Sequence, residues 1–232
     1  MQLSLRLSAI AEMVTEGNRL VDVGCDHGYL PVYLILEKKI PRAIAADVGK
    51  GPLSRAREHI HQYGLDNYIE TRLSDGLKEI GKEEGDTLVI AGMGGPLMEK
   101  ILTEGEETRK GFRELILQPQ SDIPHVRKFL FENGYHIVNE EMVLEEGKFY
   151  PLMKAVPGKA DREWTEEELE FGKFLLEKCH SVLRQYLERE LRIRKEILER
   201  LKDAPGASAG QRRQKVEEEK RKILTALKRY EG

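Results

Sequence analysis

The chain has 232 residues, of which 40% are hydrophobic and 34% charged, with a formal net charge of −3. That is enough for one substantial domain with a buried core and a smaller second one. Two distant cysteines, Cys25 and Cys179, exclude a disulfide framework; no run reaches the ~18 apolar residues of a membrane span, and Met1–Leu7 lacks the apolar core of a signal peptide, so a soluble cytoplasmic protein is expected.

In chain order, Leu5, Leu7, Ile10, Ala11 and Val14 have near-helical spacing and predict a helix over 3–15. The apolar run 19–23 enters a glycine loop and reads as a strand. A helix over 29–37 follows, with Pro31 in its first turn, where proline is tolerated. Strands are predicted at 43–47 and 69–73, with a helix over 51–62 between them. A strand at 87–91 runs into Gly92-Met93-Gly94-Gly95, and a helix follows over about 96–103. A strand at 114–118 is closed by Pro119. A helix over 125–133 ends at Gly134, and two strands, 135–144 and 149–156, share the turn Glu145-Glu146-Gly147-Lys148. Strands alternating with helices imply a parallel sheet covered on both faces. The antiparallel hairpin at the end makes this α/β pattern that of a Rossmann-like, seven-stranded class I methyltransferase domain, assigned to 1–160.

From Trp164 the texture changes. Gly and Pro become scarce, and Leu175, Leu176, Leu183, Tyr186, Ile193, Ile197 and Leu201 follow a 3.5–3.6 period. Asp203–Gly210 breaks the pattern, and a second helix from about Gln211 carries Val216, Ile223, Leu224 and Leu227. Residues 161–232 therefore read as an antiparallel α-helical hairpin of coiled-coil character. A continuous helix over 165–202 would be about 57 Å long against about 30 Å for 211–230. Its proximal half would then need cover from the first domain or another chain. Residues 162–232 hold 18 Lys/Arg against 15 Asp/Glu. The small cationic excess fits an anionic partner, and a solvated mixed-charge surface equally well.

The segment carrying most chemistry is Asp22-Val23-Gly24-Cys25-Asp26-His27-Gly28-Tyr29, after a strand and before a helix. Such a junction offers free backbone N–H groups and a positive dipole end. It is not the dinucleotide fingerprint, since Asp26 occupies the middle glycine position and Pro31 the third. A pyrophosphate would meet Asp26 as a like charge, whereas the ammonium of S-adenosylmethionine would meet it favourably. Asp47 ends the second strand where an acid bonds a ribose diol, with helix capping as the competing role. Ser74-Asp75-Gly76 ends the third strand where methyltransferases carry an acid for the adenine amine; a capped turn competes there. Ala91-Gly92-Met93-Gly94-Gly95 would lie beside the methyl sulfonium and leave room for a planar base. A ring nitrogen with its own lone pair needs little help from a base, so positioning supplies most of the rate; His27 is the one histidine near enough to act as one. Gln118-Pro119-Gln120-Ser121-Asp122 follows the fifth strand on the rim of the same face; its carboxamides would hydrogen-bond a base edge, and a plain turn fits equally well. Arg6 flanks the loop and would reach a carboxylate or a phosphate. No metal-ligand spacing appears.

Arg6-Leu7 in an opening helix, Asp22 through Pro31, Ala91 through Gly95 and Leu117-Gln118-Pro119 together resemble the bacterial tRNA (adenine-N1) methyltransferases that modify position 22. The resemblance covers essentially the whole chain. It implies an S-adenosylmethionine-binding domain and a helical domain that helps hold tRNA; a monomer or weak dimer is expected. Carried over by position, Gly24, Cys25, Asp26, His27 and Gly28 wrap the methionine moiety. Asp47 with Val48 holds the ribose, Asp75 with Gly76 the adenine, and Ala91, Gly92, Met93 and Gly94 border the methyl-transfer point. Phosphate contacts fall to Arg6, Arg189, Arg192, Lys195, Arg212 and Arg213, with Arg194 and Lys215 beside them. Alternatives are a methyltransferase acting on another RNA, a protein or a small molecule, a nicotinamide-dependent oxidoreductase, and a non-catalytic interaction protein.

Overall fold

The computed structural model describes residues 1–202 and 207–231. They fall into two compact units, Met1–Glu163 and Trp164–Gly232.

The first unit runs α1 (Leu5–Met13), β1 (Leu20–Val23), α2 (Tyr29–Leu36), β2 (Ala43–Asp47), α3 (Lys50–Gln62), β3 (Ile69–Leu73), β4 (Thr87–Met93), α4 (Gly95–Glu104), α5 (Glu106–Arg109), β5 (Glu114–Pro119), α6 (Ile123–Glu132), β6 (Tyr135–Glu145) and β7 (Lys148–Pro157). The strands form one seven-stranded sheet of order β3-β2-β1-β4-β5-β7-β6. β7 is antiparallel to both β5 and β6, and the remaining pairs are parallel. Every residue of β1 and β5 is buried, as expected where helices cover both faces of a parallel sheet. One cover is built on Ile10, Leu30, Leu34, Leu53 and Ile60 from α1, α2 and α3. Met98, Leu102, Val126 and Leu130 of α4 and α6 are buried as well. The β6–β7 turn places Glu146 at φ 50° and Gly147 at φ 76°, the mirror-image turn whose twist matches that of paired strands.

Two polar features brace this unit. Glu114, at the N-terminal end of β5, accepts from Thr15 N and Oγ1 at 2.9 and 2.6 Å, from Thr87 Oγ1 at 2.7 Å, and pairs with Lys154 at 2.8 Å. Burial opposes its ionisation, but Lys154 and the hydroxyls outweigh burial and hold the carboxyl below its usual range. This bond ties the end of α1, and so the helix bearing Arg6, to the sheet. Arg127 and Glu140 form an ion pair at 2.8 Å, with 1% and 0% side-chain exposure.

The second unit departs from the expected long helix. Residues 165–202 are divided into α7 (Glu166–Phe171), α8 (Lys173–Glu177) and α9 (Ser181–Leu201). Gly172 has φ 92° and Cys179 φ 46°, backbone values outside any right-handed helix. Thr165 opens α7 with a reciprocal capping box to Glu168. The break expected over 203–210 lies partly outside the described residues, and its described part is helical: α10 is Ala207–Leu227, beginning before Gln211. α9 and α10 each have 21 residues, so they match in length. They run antiparallel, with Tyr230 Oη donating to the His180 carbonyl at 3.1 Å, Arg194 meeting Glu219 at 2.9 Å, and Arg213 donating to the Lys202 carbonyl at 2.7 Å. α7 turns back on α10 through Glu166–Lys222 at 3.0 Å and on the turn that follows α10 through Glu167–Arg229 at 3.6 Å. The long helix with an uncovered half does not form.

Among the described residues no helix is long and apolar enough to cross a membrane. No group of three His, Cys, Asp or Glu side chains among them is placed to hold a metal ion.

Candidate active site

The C-terminal ends of the parallel strands open on a cleft of about 530 Å³ lined by Arg6, Asp22, Gly24, Cys25, Asp26, Tyr29, Ala91, Gly92 and Gln120, among others. In open α/β sheets this is where ligands enter. Gly24 has φ 79°, a conformation that favours glycine, and a Cβ on it would stand 2.4 Å from Met93 Cε, so the methionine side chain would have to move. Gly28 at φ 67° starts α2. Gly24 N and Cys25 N both donate to the Ala46 carbonyl, at 2.8 and 3.1 Å, which ties the loop to the end of β2.

The two acids of the loop differ sharply in burial. Asp26, expected to meet an ammonium, lines the cleft but is 65% exposed and already paired with Arg55 at 3.1 Å. The buried acid is Asp22, at 5% exposure. Burial first, then the charge of Asp47, pushes its carboxyl up to about 7, with Arg6 partly offsetting them. Among the described residues nothing donates a hydrogen bond to it. Its signal in the sequence was plain, an acid at the last turn of a strand before a glycine loop, but Asp26 drew the assignment. Cys25 is buried, and burial together with Asp22 and Asp47 pushes its thiol far above the usual range, so it stays protonated and inert.

The residues expected at the other strand ends lie along the same edge of the sheet. Asp47 Oδ1 accepts from Gly49 N at 2.8 Å, and Val48 is exposed. Asp75 is exposed and bonded to Lys78 at 2.5 Å; that bond and charge hold its carboxyl below the usual range. The Ser74 hydroxyl donates to the Gly76 carbonyl at 2.8 Å and accepts from Glu79 N at 3.1 Å, so the turn is stapled as well as acidic.

His27 stands beside the cleft, its Nε2 3.7 Å from Asp26 Oδ1. It is not among the residues lining the cleft. Its ring stacks on Tyr29 at 5.2 Å, and its carbonyl accepts from His59 Nδ1 at 3.1 Å.

At the end of β4 the register with β5 shifts between Ala91 and Met93, leaving Gly92 as a bulge at φ 76°. Gln118 serves this bulge. It is fully buried, and its Oε1 accepts from Gly92 N and from Arg6 Nη1, both at 3.1 Å, while its Nε2 donates to the Pro119 carbonyl at 3.1 Å. Expected on the rim, Gln118 instead supports the site from beneath, and Gln120 lines the cleft. Arg6 is held on its other side by the Tyr150 ring, 5.6 Å away. Gly94 and Gly95 follow, with Gly95 N donating to the Ser121 carbonyl at 3.2 Å and to Ser121 Oγ at 3.3 Å.

Of the hairpin cations, Arg189, Arg192, Lys195 and Arg212 are exposed. Arg213 is not a free surface cation: its Nη2 caps α9 on the carbonyls of Leu201 and Lys202. Arg194 is held between Glu190 and Glu219.

Residues 3–153 match the family described as Methyltransferase domain. The chain is 35% identical to the tRNA (adenine(22)-N(1))-methyltransferase of Bacillus subtilis (strain 168), over 94% of this chain and 92% of that one. The crystal structure of the B. subtilis M1A22 tRNA methyltransferase TrmK superposes with a TM-score of 0.86 at 30% identity, covering 97% of this chain and 99% of that one. The structure of M. capricolum TrmK in complex with the natural cofactor product S-adenosyl-homocysteine has a TM-score of 0.86 at 26% identity, covering 99% of each. A glycine-walled cleft at the strand ends, a buried acid on its floor and this similarity over nearly the full length agree: the chain belongs to the tRNA (adenine(22)-N1)-methyltransferase family.

Proposed function

We propose that this chain transfers the methyl group of S-adenosylmethionine to N1 of adenine 22 in tRNA, in the cytoplasm and as a monomer or weak dimer. The observation that carries the reading is Asp22. It is buried beside Asp47 on the floor of the cleft, nothing among the described residues donates a hydrogen bond to its carboxyl, and burial with the charge of Asp47 pushes that carboxyl up to about 7. A ligand bearing an ammonium relieves that cost. Gly24, Cys25, Asp26 and Gly28 wrap the methionine moiety around Asp22. Asp47 and Val48 meet the ribose, and Asp75 and Gly76 the adenine. When bound, the cofactor supplies an electrophilic methyl group on a sulfonium.

The chain's own task is then to present the acceptor. Ala91, Gly92, Met93 and Gly94 border the transfer point, and Gly92, at the register shift between β4 and β5, brings no side chain to it. N1 of neutral adenine carries an in-plane lone pair, and its methylation leaves a cation. No proton need be removed first, which accords with a cleft that His27 does not line. Positioning and exclusion of water supply the rate, and the carboxylates near the cleft favour the positive charge formed. N1 lies on the pairing edge, so the base must leave its stack to be reached. Arg6 meets the backbone of the target nucleotide. Arg189, Arg192, Lys195 and Arg212 add phosphate contacts elsewhere on the tRNA.

Mass spectrometry of tRNA nucleosides after incubation with the chain and S-adenosylmethionine tests this. 1-Methyladenosine at position 22 is expected. Methyl transfer to a protein or a metabolite but not to tRNA would overturn the acceptor.

A further inference from the structure

We infer that Gln120 reads the target base, pairing its carboxamide with N6–H and N7 of the adenine while N1 faces the methyl group. The inference rests on the reading of the chain as an adenine-N1 methyltransferase and supplies the residue that selects adenine.

Gln118 and Gln120 leave β5 two positions apart, and the fold gives them opposite tasks. Gln118 is buried, with both ends of its carboxamide occupied by Arg6, Gly92 and Pro119. Gln120 is exposed and lines the cleft beside Arg6 and Gly92. Its Nε2 lies 3.8 Å from the position a Cβ on Gly92 would take. Its carboxamide has no hydrogen-bond partner among the described residues. Its backbone, by contrast, is fixed. Gln120 N donates to the Met93 carbonyl at 2.8 Å, and the next residue, Ser121, holds Gly95 N through its carbonyl and its hydroxyl. An uncommitted amide thus stands on an anchored stem next to the bulge that borders the transfer point.

The chemistry of adenine then decides what this amide can do. With N1 turned to the cofactor, the N6 amine adjoins the reacting atom, and N7 lies next along the same side of the ring system. An amide oxygen accepting from N6–H and an amide N–H donating to N7 is the bidentate match of glutamine for adenine. Guanine offers O6 and N7, both acceptors, and carries a proton on N1. The amide oxygen of Gln120 would face O6 without a proton between them. The same contact therefore orients adenine and rejects guanine.

The test uses the full chain and tRNA transcripts that differ at position 22 alone, carrying adenine, purine (no N6 amine) or 7-deazaadenine (no N7). The intrinsic reactivity of the three bases differs, so the quantity read is how the kcat/KM ratios change between the wild type and Gln120→Ala. The variant should lose about ten- to a hundredfold in kcat/KM on adenine and much less on either analogue, drawing the ratios together. Its affinity for S-adenosylhomocysteine by calorimetry should stay within about twofold. Gln120→Glu keeps the acceptor and loses the donor. It should discriminate against purine but no longer against 7-deazaadenine. Ratios unchanged in Gln120→Ala, an equal loss on all three transcripts, or a fall in cofactor affinity that matches the fall in activity would each overturn the inference. A wild-type chain that leaves N1 of the adenine transcript unmethylated overturns the parent reading as well.

Discussion

Replacing Asp22 with Asn separates the cost of the buried acid from its use. The carboxyl loses its proton near 7 rather than near 3.8. Keeping it ionised at pH 8 costs the ligand-free fold about 4 kcal/mol on a scale of about 1.4 kcal/mol per pH decade. The sign follows from an acid whose folded value is raised. Below pH 4 both folded and unfolded forms are protonated and nothing is lost. Between pH 4 and 7 stability falls as pH rises, and above 7 the full cost is present. Asn preserves the shape and removes the charge, so Asp22→Asn should be more stable than the wild type at pH 8, by up to about 4 kcal/mol, or roughly 10 °C in Tm for a chain of this size. Near pH 4 the two proteins should converge. Binding should move the other way. Loss of one charge-assisted contact costs about 1.5–3 kcal/mol, so S-adenosylhomocysteine should bind about 10- to 150-fold more weakly. In the wild type, affinity should fall by about tenfold per pH unit below 7, because the acid must ionise to meet an ammonium; in Asp22→Asn it should be flat over that range. Differential scanning fluorimetry from pH 4 to 8 and calorimetry from pH 5 to 8 read the two quantities. A variant less stable than the wild type at pH 8, together with a wild-type affinity independent of pH, would refute the reasoning.

Further outcomes follow from other contacts. Reversing the charge of Arg189, Arg192 and Lys195 together should weaken tRNA binding and lower the slope of log K against log salt by about two to three. Arg213→Ala should leave that slope unchanged and instead cost about 1 kcal/mol of stability through loss of the α9 cap; a salt titration with thermal melts distinguishes the two. Arg127→Met leaves Glu140 buried without its arginine and should destabilise by about 3–5 kcal/mol, whereas Arg127→Met with Glu140→Leu should recover most of that loss in denaturant titrations. Gly24→Ala forces alanine to φ 79° and its Cβ against Met93. It should lower stability by about 1–3 kcal/mol and weaken S-adenosylhomocysteine binding as Met93 swings away; binding at wild-type strength would show that the loop tolerates the side chain.

Much of the first unit was legible because its signals are local. β2 and β3 have the predicted bounds, Ala43–Asp47 and Ile69–Leu73; β2 is a short, almost wholly buried apolar run between polar turns. The Glu146-Gly147 turn announced the β6–β7 pair. α5, Glu106–Arg109, was missed because four residues are too few to show a helical period. The second unit misled where a single residue outweighed a period. The apolar spacing from Leu169 to Leu201 continues through Gly172 and Cys179, yet left-handed backbone at those two positions breaks the helix.

At the site the residue types were readable and their division of labour was not. Asp22, Asp26, Gln118 and Gln120 are all visible in the sequence as acids and amides flanking strand ends. Burial is a property of packing, however, and it decides which acid is costly and which amide is uncommitted. Asp22 lies within the covered sheet and Asp26 one turn beyond it, against Arg55. Gln118 falls beneath the bulge at Gly92, which exists because β4 and β5 lose register there. The sequence by itself determined the order of strands and helices, the glycine loop and its acidic character, because these depend on near neighbours in the chain. The tertiary structure alone decided which acid is left without a partner and which glutamine stays free, because both depend on groups brought together from distant segments: Arg6 to Gln118, Asp47 to Asp22, and Arg55 to Asp26.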